Sequence, residues 1–368
     1  MIAAEIYRNS TYGEFHPLRI PRVSTVIDLS RALGWLPPEQ YVASPRARAK
    51  ALTAWHTPEY IAALKTAERE GAVSEEVRMR HGLGTFSNPV FAEMFRRPAT
   101  AAGASILAGE MLAGPGIVYS PASGTHHGMP DRANGFCYLN DPVLAILSLR
   151  ARGLRRIAYI DIDAHHPDGV EHAFAFDNDV LMISIHEERR WPFTGLLEDR
   201  GGGEVWNLPV QRGFDDSGMA AALEELILPR VQAFRPVAVV LQCGADAVEE
   251  DPLSRMACSN RAHWAVVSAL SAMTDRFLVT GGGGYNPWSV GRLWTGVWAT
   301  LAGHEIPERL PPEGEAVLRA LEWRGSVRGR QPPSHWYTTL RDEQRAGPLQ
   351  DDVRSRLRAL TARAAVWV

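Results

Sequence analysis

The chemistry-bearing residues of this chain crowd into one short stretch. The apolar, β-branched run Ile157–Ile160 passes directly into Asp161, Asp163, His165, His166 and Asp168. Side chains alternate faces along a strand. A strand drawn through Ile157–Asp163 therefore sends Asp161, Asp163 and His165 off one side, where its C-terminal end opens. In open parallel α/β sheets that end is where ligands bind. Carboxylate and imidazole are both ordinary zinc ligands, so the first chemistry the pattern suggests is a metal site. Each residue taken singly has a structural alternative, an Asp capping the next helix or a His satisfied in the core. Five titratable groups in eight positions after an apolar strand argue for a site instead.

Three more strand ends carry polar or glycine-rich loops. Ile117–Ser120 is followed by Gly124-Thr-His126-His127-Gly128 and by Asn134-Gly135-Phe136-Cys137. Val237–Leu241 leads into Gln242-Cys-Gly-Ala-Asp246, and Phe277–Thr280 into the four glycines Gly281–Gly284 and Tyr285. A catalytic zinc centre uses three protein ligands and leaves a position open. Asp163, His165 and Asp246 supply that set. Zinc can bring the pKa of water toward about 7, and a neutral imidazole from His126-His127 suits the base that takes the proton. Asp161 and Asp168 are free to orient the two imidazoles through their second ring nitrogens. Tyr285 can bring a phenolic donor to an oxyanion. The glycine run could cradle a phosphate, but no Lys-Ser/Thr follows it as a P-loop requires. Cys243 could be a thiol nucleophile, but it ends a buried strand with no adjacent base.

These residues must be positioned by alternating strands and helices. Short buried strands are predicted at Ile117–Ser120, Ile157–Asp163, Val180–His186, Val237–Cys243 and Phe277–Thr280. Helices are predicted near Pro142–Ala151, Met219–Ala233, Arg261–Asp275 and Trp288–Leu301. Apolar strands without alternation, separated by helices, predict an α/β fold: a mostly parallel open sheet with helices on both faces. Before it, residues 1–58 look irregular apart from an amphipathic segment near Val23–Leu33. A helix starts at Pro58 behind the cap Thr57, Gly82–Pro89 is a loop, and a small-residue helix runs from Ala99 to Leu112. The tail is rich in Pro and Arg, with an amphipathic stretch near Asp352–Ala364. The organisation expected is a catalytic domain over 1–304 and an appendage over 305–368, packed on the domain or partly disordered.

Bulk properties exclude several classes. The 368 residues are 45% hydrophobic and 22% charged, as in ordinary globular proteins. A formal net charge of -3 gives no electrostatic case for nucleic acid or an anionic membrane. Cys137, Cys243 and Cys258 are too few and too scattered for a disulfide framework or a Cys-rich zinc module. The first residues lack a basic region and a long apolar core, and no window is apolar enough to span a membrane. A reducing, cytoplasmic setting is expected.

Together these motifs resemble the histone deacetylase superfamily, which includes bacterial acetoin-utilisation proteins and acetylpolyamine amidohydrolases. They are His16-Pro17…Arg22, Asn88-Pro89-Val-Phe91, Gly124-Thr-His126-His127, Gly135-Phe-Cys137-Tyr-Leu-Asn140-Asp141, Asp161-Ile-Asp-Ala-His-His-Pro-Asp168, Gln242-Cys-Gly-Ala-Asp246 and Gly281-Gly-Gly-Gly-Tyr285. They run in family order over about residues 10–300. The resemblance implies an arginase/deacetylase-like fold and zinc-dependent hydrolysis of acetyl or other short acyl amides of lysine side chains or polyamines. Asp163, His165 and Asp246 look like the ligands of one zinc ion. His127 looks like the general base, oriented by Asp168, with His126 and Asp161 as the companion dyad and Tyr285 as the carbonyl-polarising donor. Gly135, Phe136, Trp191, Leu253 and Gly283 would line the acyl-lysine tunnel, and Arg22 would stand beside an internal acetate channel. Asp161, Asp163, His165, Ser184 and Ile185 fall where the family binds a monovalent cation, usually potassium. The partner implied is a small acylated amine or acyl-lysine, with a homo-oligomer possible.

The chain departs from the family in two places. Pro167 stands where Gly is usual, and Ser87-Asn88 stands where class I eukaryotic enzymes carry a rim Asp, which leaves small acetylated amines open as substrates. The same fold carries arginase-type ureohydrolases, but their two-manganese site needs an Asp where this chain has Pro167. Their companion Asp-x-Asp is here reduced to Gly244-Ala245-Asp246. A catalytically silent acetyl-ligand binding protein is the third reading, and the full set of ligands, His pair and Tyr285 argues against it.

Overall fold

The computed structural model describes residues 1–324 and 326–365. Its strands are β1 (Ile2–Ala3), β2 (Val42–Ala43), β3 (Gly116–Ser120), β4 (Ile157–Asp161), β5 (Val180–Glu187), β6 (Val205–Val210), β7 (Ala238–Gln242) and β8 (Arg276–Thr280). β1 and β2 pair with each other; the other six form one parallel sheet in the order β3-β8-β7-β4-β5-β6. β4 and β7 lie at its centre and every one of their residues is buried.

Period-two alternation divides these strands between two cores. Ala158 and Ile160 of β4, with Val239 and Leu241 of β7, face Leu293 and Trp294 of helix Pro287–Ala302 and Val267 of helix Asn260–Ser271. Ile157 and Tyr159, with Ala238 and Val240, face Ala104 and Ala108 of helix Arg96–Met111 and Ile146 of helix Asp141–Ala151. The predicted layer order of helix, parallel sheet and helix is the one the chain adopts. Among the described residues no helix is long and apolar enough to cross a membrane.

Several boundaries differ from the expected ones. β4 stops at Asp161, so Asp163 and His165 are presented by the turn after the strand, not by the strand itself. β6 is a strand the sequence concealed, because Asn207 and Pro209 break its apolar run. A proline is tolerated there because β6 is an edge strand that pairs only with β5. The expected helix Met219–Ala233 is continuous in space from Asp216 to Phe234, but it widens into a π-type turn over Leu223–Ile227, just before Pro229, which has no N–H to donate. Helices Glu75–His81 and Asp168–Phe174 were not anticipated.

The segment after residue 304 packs into the main body. Leu310, Leu318, Trp336, Leu340, Val353, Leu357 and Leu360 belong to the same core as β4 and β7. Helix Asp351–Ala365 lies along β6. There Arg363 donates at 2.8 Å to the carbonyls of Gly203 and Val205, and Arg356 donates to that of Pro209. Arg292, on helix Pro287–Ala302 and fully buried, pairs with Asp342 at 2.5 Å. Asp342 also accepts from the Asn260 backbone at 3.0 Å.

Removing one partner of a buried pair leaves the other charge uncompensated. Asp342→Ala is therefore expected to cost about 3–5 kcal/mol of unfolding free energy by urea denaturation. A loss under about 1 kcal/mol, the scale of an exposed pair, would mean that the tail is not anchored through Arg292.

Candidate active site

Four strand ends meet on one edge of the sheet, and backbone donors fix the carboxylates there. Asp163 accepts from the His165 backbone at 3.0 Å, from Gln242 Nε2 at 2.8 Å and from the Gly283 backbone at 2.7 Å. Asp246 accepts from the Ala164 backbone at 3.0 Å. The Nδ1 atom of His165 lies 2.9 Å from Asp246 Oδ2 and 3.2 Å from Asp163 Oδ1. One donor atom from each of the three residues can be chosen so that all lie within 4.8 Å of one another. Both carboxylates are fully buried, and among the described residues no Lys or Arg pairs with either. Two buried anions around one imidazole fit a divalent cation, and one nitrogen with two oxygens suits zinc.

Electrostatics at this cluster follow from that crowding. Burial disfavours the charged form of His165, but its hydrogen bonds to Asp163 and Asp246 outweigh it and push the pKa up to about 10. Burial likewise works against ionised Asp163, yet the charge on His126 and the hydrogen bond from His165 hold it well below the usual carboxylate range. Asp246 is pushed up, by burial and then by the charge of Asp163. Two buried carboxylates draw positive charge to the centre of the cluster, where a divalent cation would compensate them.

Beside it stand two imidazoles whose rings are 4.0 Å apart. His126 Nδ1 lies 2.8 Å from Asp161, and His127 Nδ1 lies 2.7 Å from Asp168. Asp161 is shared with Tyr159 at 2.5 Å, and Asp168 with Asn134 at 3.0 Å. The two dyads are not equivalent. His126 is buried, but the charges of Asp161 and Asp163 lift its pKa to about 9. His127 is lowered to about 4, by burial and then by the charge on His126. Environments that push a pair apart in this way separate a standing cation from a neutral base.

A cavity of about 430 Å³ leads from the surface to this floor, and Phe136, Trp191, Leu253 and Tyr285 form its walls. The Trp191 ring meets His127 edge-on at 4.6 Å. Gly135 sits at φ +50°, and a Cβ there would fall 2.1 Å from Trp191, so the tunnel has no room for a larger residue. Tyr285 is held by its backbone N–H to Asp251 at 2.7 Å. Its phenol is pushed well above the usual range by burial, then by the charge of Asp246, so it stays a donor. Gly283, expected in the tunnel wall, instead lines a second, inner cavity behind the cluster, where Arg22 also lies. Ser87 reaches the tunnel mouth, whereas Asn88 turns inward to accept from the Phe136 backbone at 3.0 Å.

The remaining expected residues have structural settings. The register of β4 on β5 sets Asp161 against Ser184, with buried Ile185 next in line. His166 bridges Thr194 at 2.8 Å and Glu171 at 3.0 Å and faces away from the cluster. Pro167 immediately precedes the helix that starts at Asp168. Sequence reasoning gave no duty to Gln242, although it stood in a quoted motif, and none to Asn134. It missed Asp251 and Arg97 altogether, because each meets the site only through a long-range contact with no local pattern.

Residues 16–301 match the histone deacetylase domain family. The chain is 34% identical over 312 residues to histone deacetylase 1 of Oryza sativa subsp. japonica, covering 83% of this chain and 60% of that protein. It is 33% identical over 310 residues to histone deacetylase 1 of Homo sapiens, covering 82% and 64%. It thus spans under two thirds of the length of these relatives. Among solved structures, an HDAC homolog from Aquifex aeolicus has a TM-score of 0.92 at 34% identity over 98% of both chains. An HDAC homolog complexed with SAHA has a TM-score of 0.93, again at 34% identity over 98% of both.

The close fit at Gly283 can be tested. A Cβ there would fall 2.0 Å from Asp246 Oδ2, which forces that carboxylate out of place. Gly283→Ala is expected to weaken affinity for a divalent metal by about 10- to 100-fold, measured by chelator competition. Unchanged affinity would remove Asp246 from the ligand set.

Proposed function

Since this chain belongs to the histone deacetylase family, we propose that it is a zinc-dependent deacylase. On this reading it removes acetyl or other short acyl groups from lysine side chains or polyamines, with zinc held by Asp163, His165 and Asp246. The observation that carries the reading is geometric: two His–Asp dyads, His126–Asp161 at 2.8 Å and His127–Asp168 at 2.7 Å, stand beside that buried ligand set. Bound zinc would supply Lewis acidity to the acyl carbonyl and to the attacking water.

The protein's own groups do the rest. Asp168 occupies Nδ1 of His127, which leaves Nε2 as the free base that takes a proton from water. His126, held on Asp161 at 2.8 Å, stands beside His127 as the second imidazole of the pair. Tyr285 donates to the carbonyl oxygen as negative charge develops there. When the C–N bond breaks, the amine nitrogen receives the proton that His127 accepted. Phe136 and Trp191 pass the methylene chain of the substrate and keep bulk water out. Ser87 at the mouth carries no charge, so small acylated amines fit as well as peptides.

A potassium ion near Asp161, Asp163, His165, Ser184 and Ile185 is part of the proposal, supported by the register that sets Asp161 against Ser184. An arginase-like reaction lacks support, since Pro167 and Gly244 cannot bind a second metal.

Elemental analysis should find about one zinc per chain, and two manganese ions would replace this reading with a ureohydrolase. Asp163→Asn should lose the metal, and full zinc occupancy in that variant would take Asp163 off the ligand list. Tyr285→Phe should keep the zinc and lose turnover on acetyl-lysine or acetylpolyamine by about 10²-fold or more. Turnover near wild type would assign the oxyanion to another donor.

A further inference from the structure

Two adjacent arginines at the tunnel mouth have different duties. Arg190 is committed: it donates to both oxygens of buried Glu187 and to the Leu253 carbonyl at 2.7 Å. Glu187 also accepts from the Arg255 backbone at 2.8 Å, so one carboxylate ties together the loops that bear Trp191 and Leu253. Arg189 is left over. It lines the tunnel, is exposed and stands at φ +55°. Among the described residues it has no carboxylate within ion-pair distance, and no acidic side chain lines the tunnel.

A groove of about 1060 Å³ opens beside that mouth and shares Leu253 and Tyr285 with it. Its charged walls are unevenly paired. Glu249 and Glu250 are both held by Arg345, and buried Asp251 accepts from the Leu253 and Tyr285 backbones at 2.9 and 2.7 Å. Glu14 is the one exposed acid of the groove without an ion-pair partner among the described residues. Of the arginines, Arg324 pairs with Glu322 at 2.9 Å, whereas Arg19, Arg212, Arg255 and Arg328 pair with no carboxylate there. With Arg189, five unpaired guanidinium groups face one unpaired exposed carboxylate, in a chain whose formal net charge is -3. An acyl-lysine seated in the tunnel leaves its own peptide chain on this surface. Extended backbone rises about 3.3 Å per residue, so two or three residues on either side fall within roughly 10 Å of the mouth. Guanidinium forks match carboxylates in geometry and charge, and a surface of one sign repels its own.

Resting on the deacylase reading and narrowing it, we propose that the mouth and the groove beside it receive an acidic peptide, so that the enzyme acts on acyl-lysines flanked by Asp or Glu. Arg189 and Arg255 read the charge next to the acyl-lysine and are specificity-determining residues. Ser87 leaves room at the mouth for a small acylated amine, but a polyamine brings further ammonium groups to the same arginines and is disfavoured by its charge. Nucleic acid is the other polyanion that a basic groove attracts. The continuity of this groove with a tunnel that admits a lysine side chain, and the presence of Glu14 in its wall, favour the peptide.

The test compares acetyl-lysine peptides of one length, flanked by Asp and Glu or by Arg, with N-acetylspermidine as a third substrate. For the wild-type protein at low salt, kcat/KM for the acidic peptide should exceed that for each of the other two by at least about tenfold, mostly through KM, the scale of two or three exposed ion pairs. That ratio should shrink in about 1 M salt, where charges are screened beyond about 3 Å. In the double variant Arg189→Gln, Arg255→Gln it should fall to within about threefold at low salt. A wild-type ratio near one, or one that favours the basic substrates, overturns the inference and leaves the deacylase reading standing. Single-stranded DNA binding more tightly than the acidic peptide, with the peptides turned over alike, also overturns it. If no substrate is cleaved, the deacylase reading fails, and fluorescence anisotropy of the labelled peptides decides the surface by itself. The acidic peptide should then bind at least about tenfold more tightly than the Arg-flanked one and lose that advantage in the double variant. Equal binding of the two peptides overturns the inference. Should the double variant not fold, the wild-type comparisons decide alone.

Discussion

The structure depends on holding two fully buried carboxylates, Asp163 and Asp246, a few ångströms apart. Burying one uncompensated anion is costly, and burying two side by side more so. The chain meets that cost with backbone N–H groups from Ala164, His165 and Gly283, with the Gln242 amide, and with an imidazole lodged between the two. These donors come from the ends of β4, β7 and β8, which are adjacent in the sheet. A sheet with this strand order can therefore gather residues more than eighty positions apart at adjacent strand ends.

The same field sorts the two histidines. Both are buried, and each has one Asp on Nδ1, so hydrogen bonding alone does not separate them. His126 lies 3.9 Å from Asp163 as well as against Asp161, so it collects the negative potential of the cluster. The charge it acquires then helps keep His127 neutral. The negative potential on one imidazole and the burial of the other bias the two in opposite directions. The pair is thus a unit, and a change at Asp161 would be felt at His127 without touching it.

How much of this was legible in the sequence depended on whether the signal was local. The parallel sheet was legible because β4, β5 and β7 each open on an unbroken apolar run, and the ligand candidates were legible because polar residues followed those runs at once. What escaped had no local signature. β6 was hidden by Asn207 and Pro209, residues a central strand does not tolerate but an edge strand does. The end of β4 was misjudged by two residues, since Ile162 continues the apolar pattern although the backbone has already turned. Arg97 lay two residues before the predicted helix Ala99–Leu112, with nothing to distinguish it from a surface arginine. Its burial is decided by Tyr7 and Tyr12, about ninety positions earlier in the chain.

The two arginines that the C-terminal helix lays on β6 have a consequence for how the protein is made. An unpaired edge is a template for pairing with another chain, and here the cover is not another strand but Arg356 and Arg363. Those residues follow the carbonyls they cover by 147 and 158 positions. A nascent chain can lay down β5 and β6 while their protection is still inside the ribosome. The interval between completing the sheet and releasing helix Asp351–Ala365 leaves that edge open to association with other copies. The candidate site residues and most of the core are translated before that interval ends, so its outcome rests on helix Asp351–Ala365.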